Sequence, residues 1–181
     1  MKIFKPAASF TFSIFLLLSA VCADEPNYRE DLNAGFFLLN DLLGNEAKVP
    51  ILLDLKTAPK EIQDFAMTIS KSAEDGQATL EKMRDADPKI NWDKNPLPPF
   101  EQTVRDSISA EKQHQLLFGT KGPDFVRAFL LSQAEASKYA SNIAKILAQQ
   151  DKNAWHQREF SRMSAQWQAL NEKDFQLLRN Y

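Results

Sequence analysis

The sequence is poor in cysteine, histidine and glycine: its 181 residues hold one cysteine, two histidines and five glycines. The lone Cys22 excludes an intrachain disulfide framework and a multi-thiolate zinc or haem site. No Gly-rich phosphate loop and no serine-centred nucleophile elbow is present. Charge of one sign is also missing. Twenty-two basic residues face 24 acidic ones, for a net charge of −2, so there is no electrostatic footprint for nucleic acid or anionic lipid. No Asn-x-Ser/Thr glycosylation acceptor occurs. The longest apolar run, about Phe10 to Leu18, falls short of the roughly 20 residues that a membrane span takes. No short segment alternates with a period of two, so strands are not expected.

The N-terminus carries a strong signal. Lys2 and Lys5 precede the apolar run, and Ser19-Ala20-Val21-Cys22-Ala23 and the acidic Asp24-Glu25 follow it. This basic, apolar, small-residue order is that of a secretory signal peptide. Cleavage after Ala23 leaves residues 24–181 as one domain, large enough for a core of its own. The expected product is exported, periplasmic or extracellular, and free of cysteine. The alternative is a lipoprotein anchored through Cys22, against which stand Ser19 and the bulky Val21 at positions where lipid processing prefers leucine and a small residue.

Beyond the N-terminus, Ala, Leu, Gln, Glu and Lys dominate segments separated by clustered prolines, a composition that favours helix. Leu32, Phe36, Leu39, Leu43, Glu46, Pro50 and Leu53 step by four and three. They predict one helix from about Asn27 to Lys56, kinked or broken at Pro50. Ile62, Ala66, Ile69, Ala73, Gly76, Leu80 and Met83 predict a second, to about Ala86. Asp87 to Pro99 reads as a loop. A shorter, more polar helix spans about Phe100 to Phe118. Phe125, Phe129, Ala136, Tyr139, Ala140, Ile143 and Leu147 predict a fourth helix, to about Gln150. Asp151 is the expected cap of a fifth, with Phe160, Met163, Trp167, Leu170 and Leu177 as its stripe. The fold class predicted is all-α, an antiparallel four-helix bundle with an additional short helix.

Ile62-Gln63-Asp64-Phe65-Ala66, after a proline, and Gly122-Pro123-Asp124-Phe125-Val126-Arg127-Ala128-Phe129-Leu130 with Gln133 resemble the opening phrases of two helices in an exported bacterial family, domain of unknown function 4142. The resemblance covers about Leu32 to Leu178 and implies a ferritin-like bundle in the same compartment. It implies no activity. An Asp-His pair usual in the family falls on Ser72 and Ala73, and a mid-helix histidine on Ser137. A late histidine falls near Lys173. The aspartate and tyrosine of the second phrase are Val126 and Phe129. Glu46 matches a glutamate common in the first helix.

Three groups of residues are candidate sites. Glu111-Lys112-Gln113-His114 puts a carboxylate and an imidazole on one helix face. Di-iron bundles use two such motifs and two further glutamates, whereas here one motif exists. Glu46, Glu111 and His114 are therefore weak metal candidates, beside the plainer reading of a solvated helix face. His156 near Trp155 has no evident nucleophile to serve and reads as a surface or half-buried residue. In the 87–99 loop, Trp92 and Leu97 either fold back on the bundle or anchor a partner. Asp174, between Leu170 and Leu177, pairs with a basic residue or marks where that stripe leaves the core. Small Ala73, Gly76 and Ser137 at mid-bundle either draw helices together or leave a void.

The function expected is an exported, non-enzymatic bundle of the cell envelope with a binding, structural or stress-related role. It needs no cofactor and takes an unknown protein or small-molecule partner. The alternatives are a metal-binding ferritin-like protein using Glu46, Glu111 and His114, and a small-molecule or lipid carrier with a cavity between helices.

Overall fold

The computed structural model describes residues 28–181, and all of the elements there are helical. The predicted signal peptide (residues 1–23) and Cys22 lie outside the described residues. Helix α1 (Tyr28–Glu46) is followed by the six-residue α2 (Val49–Asp54), then α3 (Lys60–Ala86), α4 (Pro99–His114), a π-helical turn (Gln115–Gly119), α5 (Gly122–Gln150) and α6 (Ala154–Leu178). None of these is long and apolar enough to cross a membrane.

Proline explains several boundaries. The predicted first helix breaks at Ala47-Lys48, just before Pro50, which sits in the first turn of α2, where a missing N–H costs nothing. Pro99 and Pro123 likewise occupy the first turns of α4 and α5. Gly122 starts α5 at φ +55°, a conformation that side-chain-bearing residues rarely adopt. The cap of α6 is Asn153, not Asp151. The Asn153 carboxamide oxygen accepts from the backbone N–H groups of Trp155 and His156.

Contacts fix the direction of the four long helices. Arg29 meets Asp87, and Ser70 Oγ reaches the Ala47 carbonyl, so α1 and α3 are antiparallel. Gly35 lies against Leu147 and Glu46 against Gln133, which makes α1 and α5 antiparallel. Asn171 binds the Ala134 carbonyl while Ser164 and Ser141 bind each other's backbone, so α5 and α6 are antiparallel. Gln166 reaches Ser72, which sets α6 against α3. Neighbours therefore alternate, while α3 and α5 point the same way. Residues 87–121 carry the chain back between them. Helix α4 lies on this return, beside α5 through Arg105–Tyr139 and Lys112–Glu135 contacts.

The core follows the predicted stripes of α1, α3 and α6. Leu32, Phe36, Leu39, Leu43, Ile62, Ile69, Leu80, Phe160 and Trp167 are buried, and each large apolar side chain contributes roughly 1.5–3 kcal/mol. On α5, Phe125, Phe129, Ala140, Ile143 and Leu147 are buried as predicted, and two positions differ. Tyr139 is exposed and Ala136 half-buried, while Gln133, Ser137 and Ser141 point inward. Small polar residues there let α5 and α6 pack closely. Of the two readings offered for the small residues, close approach holds at Gly76 on α3, where an added Cβ would meet Leu43 Cδ1 at 2.9 Å and Met163 Cε at 3.6 Å. Side chains of α1 and α6 fill the space at that point.

Candidate functional site

Glu46 is the last residue of α1 and continues the stripe of Phe36, Leu39 and Leu43, three positions past Leu43. Its inward direction is thus dictated by helical geometry. Asp174 stands four positions past Leu170 and three before Leu177 on α6, and it is fully buried. Between them run two consecutive turns of α5, bearing Gln133 and Ser137. The Gln133 side chain lies beside the Glu46 carboxyl. Ser137 Oγ lies 3.0 Å from Asp174 Oδ2 and 2.6 Å from the Gln133 carbonyl oxygen. A polar track, Glu46–Gln133–Ser137–Asp174, therefore crosses three helices inside an apolar core.

The track holds two acids and no base. Glu46 Oε2 and Asp174 Oδ1 are buried without a hydrogen-bond partner. Burial, only partly opposed by the Gln133 contact, pushes the Glu46 carboxyl up to about 7. Burial also pushes Asp174 up to about 7. Its Ser137 contact opposes the rise and the nearby Glu46 charge adds to it. Removing a carboxylate from water disfavours its charged form, and a second acid close by disfavours it further. Ser137 opposes that rise only weakly. A hydroxyl has one proton, and its shorter contact is to the Gln133 carbonyl, which can only accept. Ser137 Oγ is in donor reach of both oxygens, so the one proton it offers Asp174 is shared with the Gln133 carbonyl and gives the charged carboxylate little support.

The expectations for Asp174 are both corrected: its partner is a serine, not a basic residue, and the stripe stays in the core. Glu46 is not brought together with Glu111 and His114. Those two are exposed on α4, and the His114 ring rests beside Phe118. Among the described residues no three His, Cys, Asp or Glu side chains are placed to hold a metal ion. Their separation follows from α4, which buries no residue at all.

His156 is buried, contrary to the surface or half-buried position expected. Its Nδ1 lies 2.8 Å from Asp151 Oδ2, its ring edge faces Phe36, and Nε2 has no partner. Asp151 also accepts from the Asn153 backbone N–H, and Gln157 binds the Asp151 carbonyl. These contacts lock the α5–α6 turn. Trp92 is only 8 % exposed. It stacks on Phe36 at 6.0 Å between ring centroids, beneath the Arg84 guanidinium at 4.5 Å. It is thus removed as a partner anchor, and Leu97 is half-buried. A shallow surface groove of about 350 Å³ lies elsewhere, lined by Leu55, Lys56, Thr57, Lys121, Gly122 and Phe125.

No family model, curated protein or solved structure matches the chain.

Glu46 was visible in the sequence as a charge on an apolar stripe. Gln133 and Ser137 were not singled out together with Asp174 because their shared surroundings depend on which helices face one another. The one available signal was a second acid, Asp174, on another apolar stripe.

Proposed function

We propose that the chain is an exported, non-enzymatic protein of the cell envelope, built as a ferritin-like helical bundle and acting by binding a protein partner. The single observation that carries the binding role is α4. This helix of 16 residues buries none of them, and it leaves Phe100 81 % and Phe118, just beyond its end, 71 % exposed, with Val104 and Ile108 exposed between. Uncovered apolar side chains in series are characteristic of surfaces that meet another molecule. The export reading rests on the order of Lys2, Lys5, the apolar run and Ala23. The ferritin-like reading is supported by parallel α3 and α5 joined by one long crossover, the connection such bundles use, and by the resemblance at Ile62–Ala66 and Gly122–Leu130. The non-enzymatic reading is supported by an acid pair that lies inside the core, away from the groove lined by Leu55, Lys56 and Phe125.

The test is crosslinking in cells that export the protein, comparing wild type with Phe100→Ser/Phe118→Ser. We expect a crosslinked partner that the variant loses while its circular dichroism is unchanged. An unaltered crosslinking pattern would remove α4 as the contact. Intact mass of the exported product tests the compartment: a chain beginning at Asp24 is expected, and an acylated Cys22 would make it a lipoprotein.

A further inference from the structure

We infer that Glu46 and Asp174 form a proton-operated latch, which holds the end of α1 against α5 and α6 while the pair keeps its protons and releases it when both carboxyls ionise. Two carboxyl groups are buried beside consecutive turns of α5, at Gln133 and Ser137, each with an unpartnered oxygen. Ser137 Oγ, the donor 3.0 Å from Asp174 Oδ2, also lies 2.6 Å from the Gln133 carbonyl oxygen, so its single proton is shared between them.

Among the described residues, no surrounding element offers a compensating cation. The other buried polar groups are Ser70, Ser72 and Thr79 on α3, Gln133, Ser137 and Ser141 on α5, and Asn171 on α6. The charged groups nearest in sequence on each element are exposed: Lys48 beyond α1, Lys71 and Glu74 on α3, Glu135 and Lys138 on α5, and Glu172 and Lys173 on α6. The only buried base among the described residues, His156, is held by Asp151. It stands about 18 residues from Asp174 along α6, roughly 27 Å away. Ionising the pair therefore puts two like charges into a low-dielectric interior with nothing to balance them.

Position decides which side yields. Asp174 is inside α6, flanked by Leu170 and Leu177 in the core. Glu46 ends α1, and the chain beyond it turns at Ala47-Lys48 into the short α2. Fraying the last turn of α1 carries Glu46 to water at the loss of few contacts. The Ser70 bond to the Ala47 carbonyl, 2.8 Å long, would break with it. The latch thus couples protonation to the seat of α1's last turn and α2.

The sign follows from the two protonation equilibria. The unfolded chain gives up these protons near the ordinary values, 4.5 for Glu46 and 3.8 for Asp174, whereas the folded chain holds them up to about 7. The folded state binds more protons between those limits. Stability therefore falls as pH rises from about 4 to about 7, and levels off above.

The experiment compares wild type, Glu46→Gln, Asp174→Asn and the double variant. In wild type we expect the melting temperature to fall on the order of 5–10 °C between about pH 5 and about pH 8. Each single variant should lose part of that slope, and the double variant most of it. Amide exchange at the end of α1 and in α2, corrected for the intrinsic pH dependence, should quicken in wild type above about pH 8. It should not do so in the double variant. Infrared titration of wild type keeps the test independent of whether the variants fold: a protonated-carboxyl stretch should disappear near neutral pH. An acid pair fully ionised by about pH 5 would overturn the latch. So would equal pH slopes in wild type and double variant, or exchange at α1 that quickens only with global unfolding.

Discussion

Trp92 lies in a loop among polar and charged neighbours, between Asn91 and Asp93, and still folds inward. Three contacts account for this. Phe36 offers a flat apolar face, Arg84 covers the outer side of the indole, and Asn33 accepts from the Asn91 backbone N–H at 3.0 Å. The loop start is tied down as well. Asp87 accepts from the Lys89 backbone N–H, and Arg29 lies 3.1 Å from its carboxylate. The Lys89 hydrogen bond, and then the Arg29 charge, hold the Asp87 carboxyl below its usual range. Replacing Trp92 by alanine would strip the Phe36 ring and strand Arg84. We expect Trp92→Ala to cost about 3–5 kcal/mol in denaturant unfolding, and Trp92→Phe much less because stacking survives. A cost below about 1 kcal/mol for the alanine variant would mean that the loop contributes little to the core.

Among the helices, glycine separates crowded faces from open ones. Gly44 and Gly35 both lie in α1, but their surroundings differ. A Cβ at Gly44 would meet only the end of the Gln77 side chain, at 3.3 Å, whereas one at Gly35 would fall 2.7 Å from Leu147 Cδ2 and 3.3 Å from its Cγ. Gly44→Ala should therefore stabilise the protein by about 0.5–1 kcal/mol through helix propensity. Gly35→Val should destabilise it by about 1–3 kcal/mol through overpacking. Matched urea titrations would check both, and equal effects at the two positions would refute the packing of α1 on α5. Much of this level could be read from the sequence. The stripes of α1, α3 and α6 fall where four-three spacing puts them, because each has one main buried side. The stripe of α5 does so in part: Phe125, Phe129, Ala140, Ile143 and Leu147 are buried, but α5 is flanked by α1, α4 and α6. Three partners widen its buried side, which takes in Gln133, Ser137 and Ser141, while Tyr139 lies outside it. The proline signals were sound in kind but displaced in detail, as at Pro50, where the break precedes the proline. The acid pair was half legible: each acid sits on an apolar stripe, but their meeting across Gln133 and Ser137 is set by tertiary packing.

At the scale of the whole molecule, stability should be unevenly distributed. The long helices α1, α3, α5 and α6 share one continuous set of buried side chains, including Phe36, Phe129, Phe160 and Trp167. Helix α4 adds none of its own residues to that set, and its nearest buried attachment is Leu116 in the following π-helical turn. What holds it to α5 is polar: Arg105 to Tyr139 at 3.2 Å, and Lys112 to Glu135. Exposed ion pairs are worth about 0–1 kcal/mol each, far less than one buried aromatic side chain. Such an element opens at a lower free energy than the core it rests on. Trypsin under native conditions should accordingly cut first at Arg105 or Lys112, and the two fragments should stay associated because the other long helices keep their shared core. Raising salt should hasten the first cut by weakening the Lys112–Glu135 pair, while leaving the cooperative melting of the core little changed. Initial cleavage within α3 or α6, or separation of the fragments once α4 is cut, would show that the crossover helix is part of the core in solution.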